Sequence, residues 1–256
     1  IPGPSASAPA PGNAPSGPAT GPGGATTGPA GRPDGQLSVP VYYVRDEAGS
    51  ARLFREFHRV PERPERPAVS ALTEMLDGTR ALDPDYRSPW PAGARVASYE
   101  RAGDLATVRL TGAGRPDELA LQQLVHTVTA ADEGVARVAV QLDGRPAGAP
   151  LTRADRASTL GRIWLTDPQE GQTVGRKLRL TGEATVEEAT VRWQVLRGTQ
   201  VVKDGFTTAS EGAPGRGRWS ADIELAESGT YVLRVYASTG EDGSARLEET
   251  RTVRVR

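Results

Sequence analysis

Histidine is the side chain best suited to acid–base chemistry near neutral pH, and this 256-residue chain holds two, His58 and His126. A histidine-based nucleophilic relay needs a carboxylate that orients the ring and a nucleophile beside it. His126 lies about 140° around a predicted helix from Leu121, which favours a solvent-exposed position off the apolar face. His58 lies in or beside a predicted strand, which favours a partly buried structural residue. The pattern predicts no catalytic histidine, and two such distant histidines make a poor transition-metal site.

Adjacent acidic residues are the second kind of candidate, because acid–base catalysts such as glycosidases use paired carboxylates. Neighbours in sequence point in different directions on a helix or strand, so we predict solvated turns and caps instead. The pairs are Asp117-Glu118, Asp132-Glu133, Glu187-Glu188 and Glu248-Glu249. Asp83 and Asp85 are calcium-ligand candidates, but they lack the regular oxygen-ligand spacing of a calcium loop. No phosphate-binding glycine loop precedes a predicted helix. We therefore predict no catalytic residue, no metal site and no cofactor.

Trp90, with a proline on either side, is the candidate partner contact. A rigidly held tryptophan at a surface is a frequent anchor of protein interfaces. The alternative is that Trp90 caps the small core of its own domain. The other tryptophans, Trp164, Trp193 and Trp219, lie in predicted strands and are expected in the core of a second domain.

The elements that must position these residues are predicted from hydrophobic periodicity, and over residues 37–147 they form an α+β domain. The predicted order is β-β-α-β-β-α-β, with helices packed on a sheet. Phe54 and Phe57 are expected on opposite sides of the second strand. Asp117 and Glu118 lie in the first turn of the second helix, where the helix dipole favours negative charge. The predicted strands are 37–44, 52–60, 94–101, 104–111 and 138–142, and the predicted helices run from Ala68 to a cap at Gly78 and through 121–128.

Residues 162–256 show no helical period and instead carry seven short alternating runs. Such a pattern predicts an all-β immunoglobulin-like sandwich. The runs are 162–166, 177–184, 189–197, 200–208, 217–225, 230–238 and 246–255. Residues 241–243 are predicted to form a hairpin turn. The Pro/Gly/Ala-rich stretch 148–161 is predicted to link the two domains.

The first 36 residues cannot build a core. They hold 9 proline and 9 glycine residues and, after Ile1, no large apolar residue. We predict a disordered tether there. Because the sequence starts at Ile1 and not at methionine, we expect processing, with a lipidated cysteine upstream of Ile1 and a membrane-anchored protein at the cell surface. The alternative is an ordinary disordered tail on a soluble protein.

Charge and composition exclude several classes of protein. The chain has 31 basic and 32 acidic residues, a net charge of −1, so no nucleic-acid partner is predicted. It has no cysteine, which excludes disulfides, thiolate metal sites and cysteine nucleophiles from these residues. No apolar run approaches ~18 residues, so no transmembrane helix is predicted. All but two of the basic residues are arginine, which with abundant alanine, glycine and proline indicates a high-GC genome.

The first domain resembles the GerMN (sporulation and germination) family. The stretches that carry the resemblance are 41–44, 68–78, 90–96, 106–110, 123–129 and 138–144. The second domain resembles the immunoglobulin-like domain of bacterial spore germination. Its matching stretches are 168–174, 180–184, 191–193, 229–238 and 242–243. The order and tandem arrangement of these motifs are more specific than any one of them.

The resemblance implies an extracytoplasmic protein, often a lipoprotein, of Gram-positive bacteria, here an actinobacterium. It implies a link to sporulation, germination and envelope assembly. GerMN domains are similar to ring-building modules of envelope-spanning complexes, which associate side by side. The resemblance carries no catalytic residue for either domain.

The leading hypothesis is therefore a non-enzymatic envelope lipoprotein that acts through contacts with envelope proteins or through self-association of its GerMN-like domain. The alternative is a binding module for cell-wall glycan or peptide that uses Trp90. An envelope hydrolase is the third possibility, and the sequence offers it no convergent acid, base and nucleophile.

Overall fold

The computed structural model of the chain describes residues 35–62, 66–239 and 245–256. Asp34–Arg256 form one compact unit, which contains two hydrophobic cores. The predicted tether lies outside the described residues except for its last two, and the predicted turn at 241–243 lies outside them entirely. Among the described residues, no helix has both the length and the apolar character needed to cross a bilayer.

The first domain has the predicted β-β-α-β-β-α-β order, followed by one further short strand. Its α+β character is thereby confirmed. Its elements are β1 (Gln36–Glu47), β2 (Ser50–Pro61), α1 (Pro67–Leu76), β3 (Arg95–Ala102), β4 (Leu105–Thr111), α2 (Glu118–Ala131), β5 (Arg137–Leu142) and β6 (Arg145–Pro146).

Two sheets and two helices build this domain. Strands β1 and β2 form a long antiparallel hairpin, and β3-β4-β5-β6 form a four-stranded sheet in which β4 and β5 are parallel. Helix α2 is the crossover between those parallel strands, as a parallel pair requires. The helices pack against each other and against β1, while α1 contacts β3 and α2 contacts β5. The first core therefore lies where the helices meet both sheets.

The helix ends differ in part from the predicted ones. Asp117 caps α2 by accepting a hydrogen bond from the Ala120 backbone N–H at 2.7 Å, which agrees with the acidic first turn. Helix α1 starts at Pro67 and ends at Leu76, with Asp77 as its C-cap. The predicted cap at Gly78 is wrong, because Gly78 begins a short 3₁₀ turn and does not take the left-handed conformation.

The second domain is an all-β sandwich, as predicted. Its sheets are ordered β11-β10-β13-β14-β8 and β12-β9-β7. The elements are the short helix α3 (Arg156–Thr159) at its entrance, then β7 (Ile163–Asp167), β8 (Thr173–Val174), β9 (Lys177–Ala184), β10 (Thr190–Arg197), β11 (Gln200–Thr208), β12 (Gly217–Glu224), β13 (Gly229–Thr239) and β14 (Ala245–Val255). Trp193 and Trp219 lie in its core, as expected, but Trp164 belongs to the core of the first domain.

The stretch 148–161 lies against the first domain. Leu151 forms a backbone bridge with Val138, and Gln122 on α2 binds two backbone groups of the stretch, the Thr152 carbonyl at 3.1 Å and the Ala154 N–H at 2.8 Å. Leu160 joins the first core. The connection between the domains is therefore held along its length.

Candidate functional site at the junction of the two domains

Trp90, the candidate partner contact, lies in the first core with 6% of its surface exposed. Its indole Nε1–H donates to Gln123 Oε1 at 2.9 Å. The structure thus places Trp90 as the alternative interpretation has it, in the core of its own domain.

Helix α2 buries its polar face, and His126 with it. Gln123 Nε2 donates to the Tyr42 carbonyl at 2.7 Å, and the Tyr42 N–H donates to Thr127 Oγ1 at 3.2 Å, so this face covers the free edge of β1. His126 is 1% exposed, and neither ring nitrogen has a hydrogen-bond partner among the described residues. The prediction of a solvent-exposed His126 is wrong, because the edge of β1 and the connection 148–161 occupy the side where solvent was expected.

Burial also decides the charge of His126. Removal of the ring from water, together with the charges of the nearby Arg153 and Arg156 guanidinium groups, lowers the pKa of His126 to about 3. The ring is therefore neutral at physiological pH. No described residue bonds to either nitrogen, so none of them could activate the ring as a base.

His58 on β2 is buried between two carboxylates. Its Nε2 lies 3.0 Å from Glu56 Oε2, and its Nδ1 lies 3.1 Å from Glu74 Oε2. Glu74 also pairs with Arg80 at 2.8 Å. Glu56 accepts the backbone N–H groups of residues 82 and 83 at 3.0 and 2.7 Å. Both ring nitrogens of His58 thus face oxygen acceptors, which suits the doubly protonated ring.

The electrostatics agree with that protonation state. Burial lowers the pKa of His58, but the hydrogen bonds and charges of Glu56 and Glu74 outweigh it, so the pKa lies above the ordinary 6.5. Both ring N–H groups donate to a carboxylate, and the His58 and Glu56 side chains are closed to solvent. Within the described residues, no three His, Asp or Glu side chains are arranged to hold a metal ion. The cluster fastens the β2 strand to α1 and to the loop after it.

Arg251 on β14 is the centre of the contact between the domains. Its guanidinium is 1% exposed and donates to Asp83 and to Tyr86 Oη in the first domain, the latter at 2.7 Å. It also donates to Glu249 Oε1 on its own strand at 2.6 Å. Glu249 in turn accepts from Tyr86 Oη and from the Leu165 N–H. Five groups from both domains therefore share one buried network.

One cation faces two carboxylates in this network. Burial raises the pKa of Asp83 to about 6, although the charge of Arg251 acts in the opposite direction. Burial lowers the pKa of Arg251, but Glu249, Tyr86 and Asp83 more than compensate, so the guanidinium stays charged. Buried ion pairs of this kind fix geometry more reliably than they add stability.

Further contacts involve the start of the second domain. Arg216 stacks over Trp164 with its Cζ 4.3 Å from the ring centroid, and it binds Glu183 at 2.7 Å. The Glu47 carboxylate accepts the Arg162 backbone N–H at 2.9 and 3.1 Å. Trp164 lies outside the sandwich core because its ring packs on the first domain. The ring centroid is 6.1 Å from that of Tyr42 and 6.4 Å from that of Phe54.

Sequence reasoning missed most of this junction. The sequence predicts a solvated Glu249 and makes Asp83 a calcium-ligand candidate, yet both are buried against Arg251. A signal exists in the alternation of β14, where Glu249 and Arg251 occupy the same face as Leu247, Val253 and Val255. Charged residues at apolar-face positions of a strand are expected only where a buried group of opposite charge pairs with them.

Two family models match parts of this chain, one in each domain. Residues 40–148 match the family described as sporulation and spore germination. Residues 162–244 match the immunoglobulin-like domain of bacterial spore germination. The chain carries these two domains in tandem. Both resemblances drawn from the sequence are thereby confirmed, and the junction lies between a GerMN-like domain and a germination-type immunoglobulin-like domain.

Solved structures give more distant likenesses. The tandem GerMN domains of the sporulation protein GerM from Bacillus subtilis align with 49% of this chain and 48% of that chain, at 17% identity and a TM-score of 0.43. The first GerMN domain of the same protein aligns with 46% of this chain and 99% of that chain, at 16% identity and a TM-score of 0.36. A putative lipoprotein from Clostridium perfringens aligns with 50% of this chain and 83% of that chain, at 11% identity and a TM-score of 0.27.

The chain thus spans about half the length of the tandem GerMN structure it matches. A comparison with curated proteins found no match. The assignment of both domains therefore stands on the family models.

Proposed function

We propose that this chain is a non-enzymatic protein of the cell envelope that acts by associating with other envelope proteins or with further copies of itself. The observation that carries the proposal is the buried network around Arg251, which joins the two family domains. Domains in one chain move relative to each other by default unless their interface holds them. A fixed pair of domains presents surfaces in a constant relative position, as an assembly component must.

The family matches support the setting of this proposal. Both family descriptions name spore germination, and that of the first domain also names sporulation, which favours a role in those processes or in envelope assembly outside the cytoplasm. We also propose a lipid anchor upstream of Ile1, with residues 1–36 as its tether. Their proline and glycine content supports a tether, and a coil of that length spans roughly 30–36 Å.

The absence of catalysis is part of the proposal and is supported by burial. His58 and His126 are both closed to solvent, at 5% and 1% exposure, so neither can meet a substrate in this structure. The alternative, binding of cell-wall glycan, is less well supported. All four tryptophans are buried, at 2–8% exposure, so none offers an open face on which a sugar could stack.

Fractionation and crosslinking of native cells would test the proposal. We expect the full-length protein in the envelope fraction and, after crosslinking, in species larger than the 27.0 kDa chain. A protein found only in the cytosol and only as a monomer would contradict it. Retention of the purified chain on protein-free peptidoglycan, without crosslinked protein in cells, would favour the glycan-binding alternative.

A further inference from the structure

Strand β11 of the immunoglobulin-like domain ends its sheet and exposes apolar side chains. Phe206 is 71% exposed, and Val201 and Val202 are 42% and 46% exposed. Three of the five exposed large apolar side chains in the described part of the chain thus lie on this one strand. Natural proteins protect the last strand of a sheet with charges, prolines or a cover, because its free backbone groups recruit other strands. An edge that stays apolar therefore indicates a partner.

The neighbouring edge of the sandwich, at β12, is protected, in contrast to the edge at β11. Strand β12 ends the other sheet, and side chains of β11 cap its carbonyls: Thr207 Oγ1 donates to the Ser220 carbonyl at 2.8 Å, and Lys203 Nζ donates to the Glu224 carbonyl at 2.9 Å. Lys203 on β11 therefore binds β12 and does not protect the free edge of β11. Among the described strands, β11 pairs with β10 alone.

The exposed face of β11 has the chemistry of a protein contact. The strand register places Phe206 beside Arg192 on β10, and Arg192 beside Tyr236 on β13. Aromatic and arginine side chains dominate the energetics of protein interfaces. Asp204 follows on the same face, two residues from Phe206, and has no ion pair with any described residue. A partner can therefore satisfy an apolar group and a free negative charge next to each other.

Two occupants from this chain fit the edge poorly. After Ile1, residues 2–34 contain no large apolar residue, and their only basic residue is Arg32. A second copy that paired all nine residues of β11 about a two-fold axis would centre on Asp204. That register sets Asp204 opposite its own copy, and like charges directly across a strand pair are destabilising.

We propose that β11 is the docking edge for an extended segment of a partner protein, which adds to the sheet as a strand. Its main chain would pair with the free edge of β11, with an apolar side chain opposite Phe206 and a basic side chain opposite Asp204. This proposal rests on the proposed function, association with other proteins, and assigns that association to one edge.

A synthetic peptide tests the edge directly. The probe is the acetylated and amidated nonapeptide Ser-Thr-Val-Thr-Arg-Thr-Val-Thr-Ser, titrated into the ¹⁵N-labelled full chain. We expect amide shifts that cluster on β11 and saturate. Replacing the arginine of the peptide by glutamate should weaken binding about tenfold, because an attractive cross-strand pair becomes a repulsive one. In the Asp204→Lys variant this preference should reverse.

Variants of the chain distinguish binding at the β11 edge from nonspecific binding to exposed apolar side chains. Phe206→Ser should weaken peptide binding about tenfold through loss of apolar contact. The same change at Leu82, which is 44% exposed on the first domain, should leave binding unchanged. Unchanged unfolding midpoints would show that both variants are folded, as expected for exposed positions.

The following results would overturn the proposal: no binding at millimolar peptide, shifts away from β11, or equal binding by Phe206→Ser. Dimerisation of the free chain that Phe206→Ser abolishes would assign the edge to a second copy instead. If the peptide does not bind while the chain still crosslinks to envelope proteins in cells, the assignment of β11 as the docking edge is wrong and the proposed function stands.

Discussion

At the scale of single residues, the most informative side chains are the charged ones that lie inside. Arg251, Glu249 and Asp83 are buried together at the junction, and His58 is buried between Glu56 and Glu74. Each of these groups forms an ion pair or hydrogen bond with another, so removing one leaves a buried charge without its partner. Such a loss costs more than the pair contributes when intact.

Replacing Arg251 by methionine tests the junction. The Arg251→Met variant leaves Asp83 and Glu249 buried without their cation, and we expect the free energy of unfolding to fall by about 3–5 kcal/mol. Urea unfolding at pH 7 measures this. Arg254→Met, on the same strand but exposed, is the matched control and should change stability by less than about 0.5 kcal/mol. A loss of similar size in both variants would contradict the role assigned to Arg251.

The pKa values of the two histidines should be shifted in opposite directions from the ordinary 6.5. NMR titration is expected to give His58 a midpoint above 6.5, while the His126 signals stay constant from pH 9 to pH 5 because its pKa is about 3. The folded-state pKa of His58 is raised, so its contribution to stability is fully present below pH 6.5 and is lost as the pH rises through the raised value. The folded-state pKa of His126 is lowered, so its contribution is present above pH 6.5 and is lost as the pH falls toward 3.

Unfolding curves of His58→Gln and His126→Gln, compared with the unmodified chain across pH 4–9, measure these two contributions separately. In the region between its two pKa values, a single histidine changes stability by about 1.4 kcal/mol per pH unit. Equal midpoints near 6.5 for both rings would mean that neither environment is as described.

At the scale of elements, local patterns predict strands well and their partners poorly. The seven predicted runs of the second domain agree with observed strands because apolar alternation is a property of each strand alone. Which layer covers a strand depends on residues far away in sequence. Trp164 lies on such a strand but packs on Tyr42 and Phe54. Likewise, the polar face of α2 predicts solvent for His126, whereas the edge of β1 lies there.

Gln123 tests the contact between α2 and the β1 edge. In Gln123→Leu, the Trp90 indole N–H and the Tyr42 carbonyl both lose a buried partner, at a cost of about 1–3 kcal/mol each. We expect a lower free energy of unfolding and faster hydrogen exchange at the Trp90 indole. Gln200→Leu, at an exposed position, should leave both quantities unchanged. Unaltered indole exchange in Gln123→Leu would show that the hydrogen bond is not formed.

At the scale of the whole molecule, buried contacts join the two domains within one compact unit. The Arg251 network, the Glu47 contact with the Arg162 backbone and the Arg216 stack on Trp164 all lie between the same two cores. The Arg251 network and the Glu47 contact each need residues from both domains, and Trp164 of the second domain packs in the core of the first. A fixed arrangement of this kind is the physical basis of the proposed role in envelope assembly.

Residual dipolar couplings of the full chain in a dilute aligned medium test this central claim most directly. One alignment tensor should fit the backbone couplings of residues 37–147 and 162–256 together. Two tensors of different magnitude or orientation would show that the domains move independently and would contradict the account.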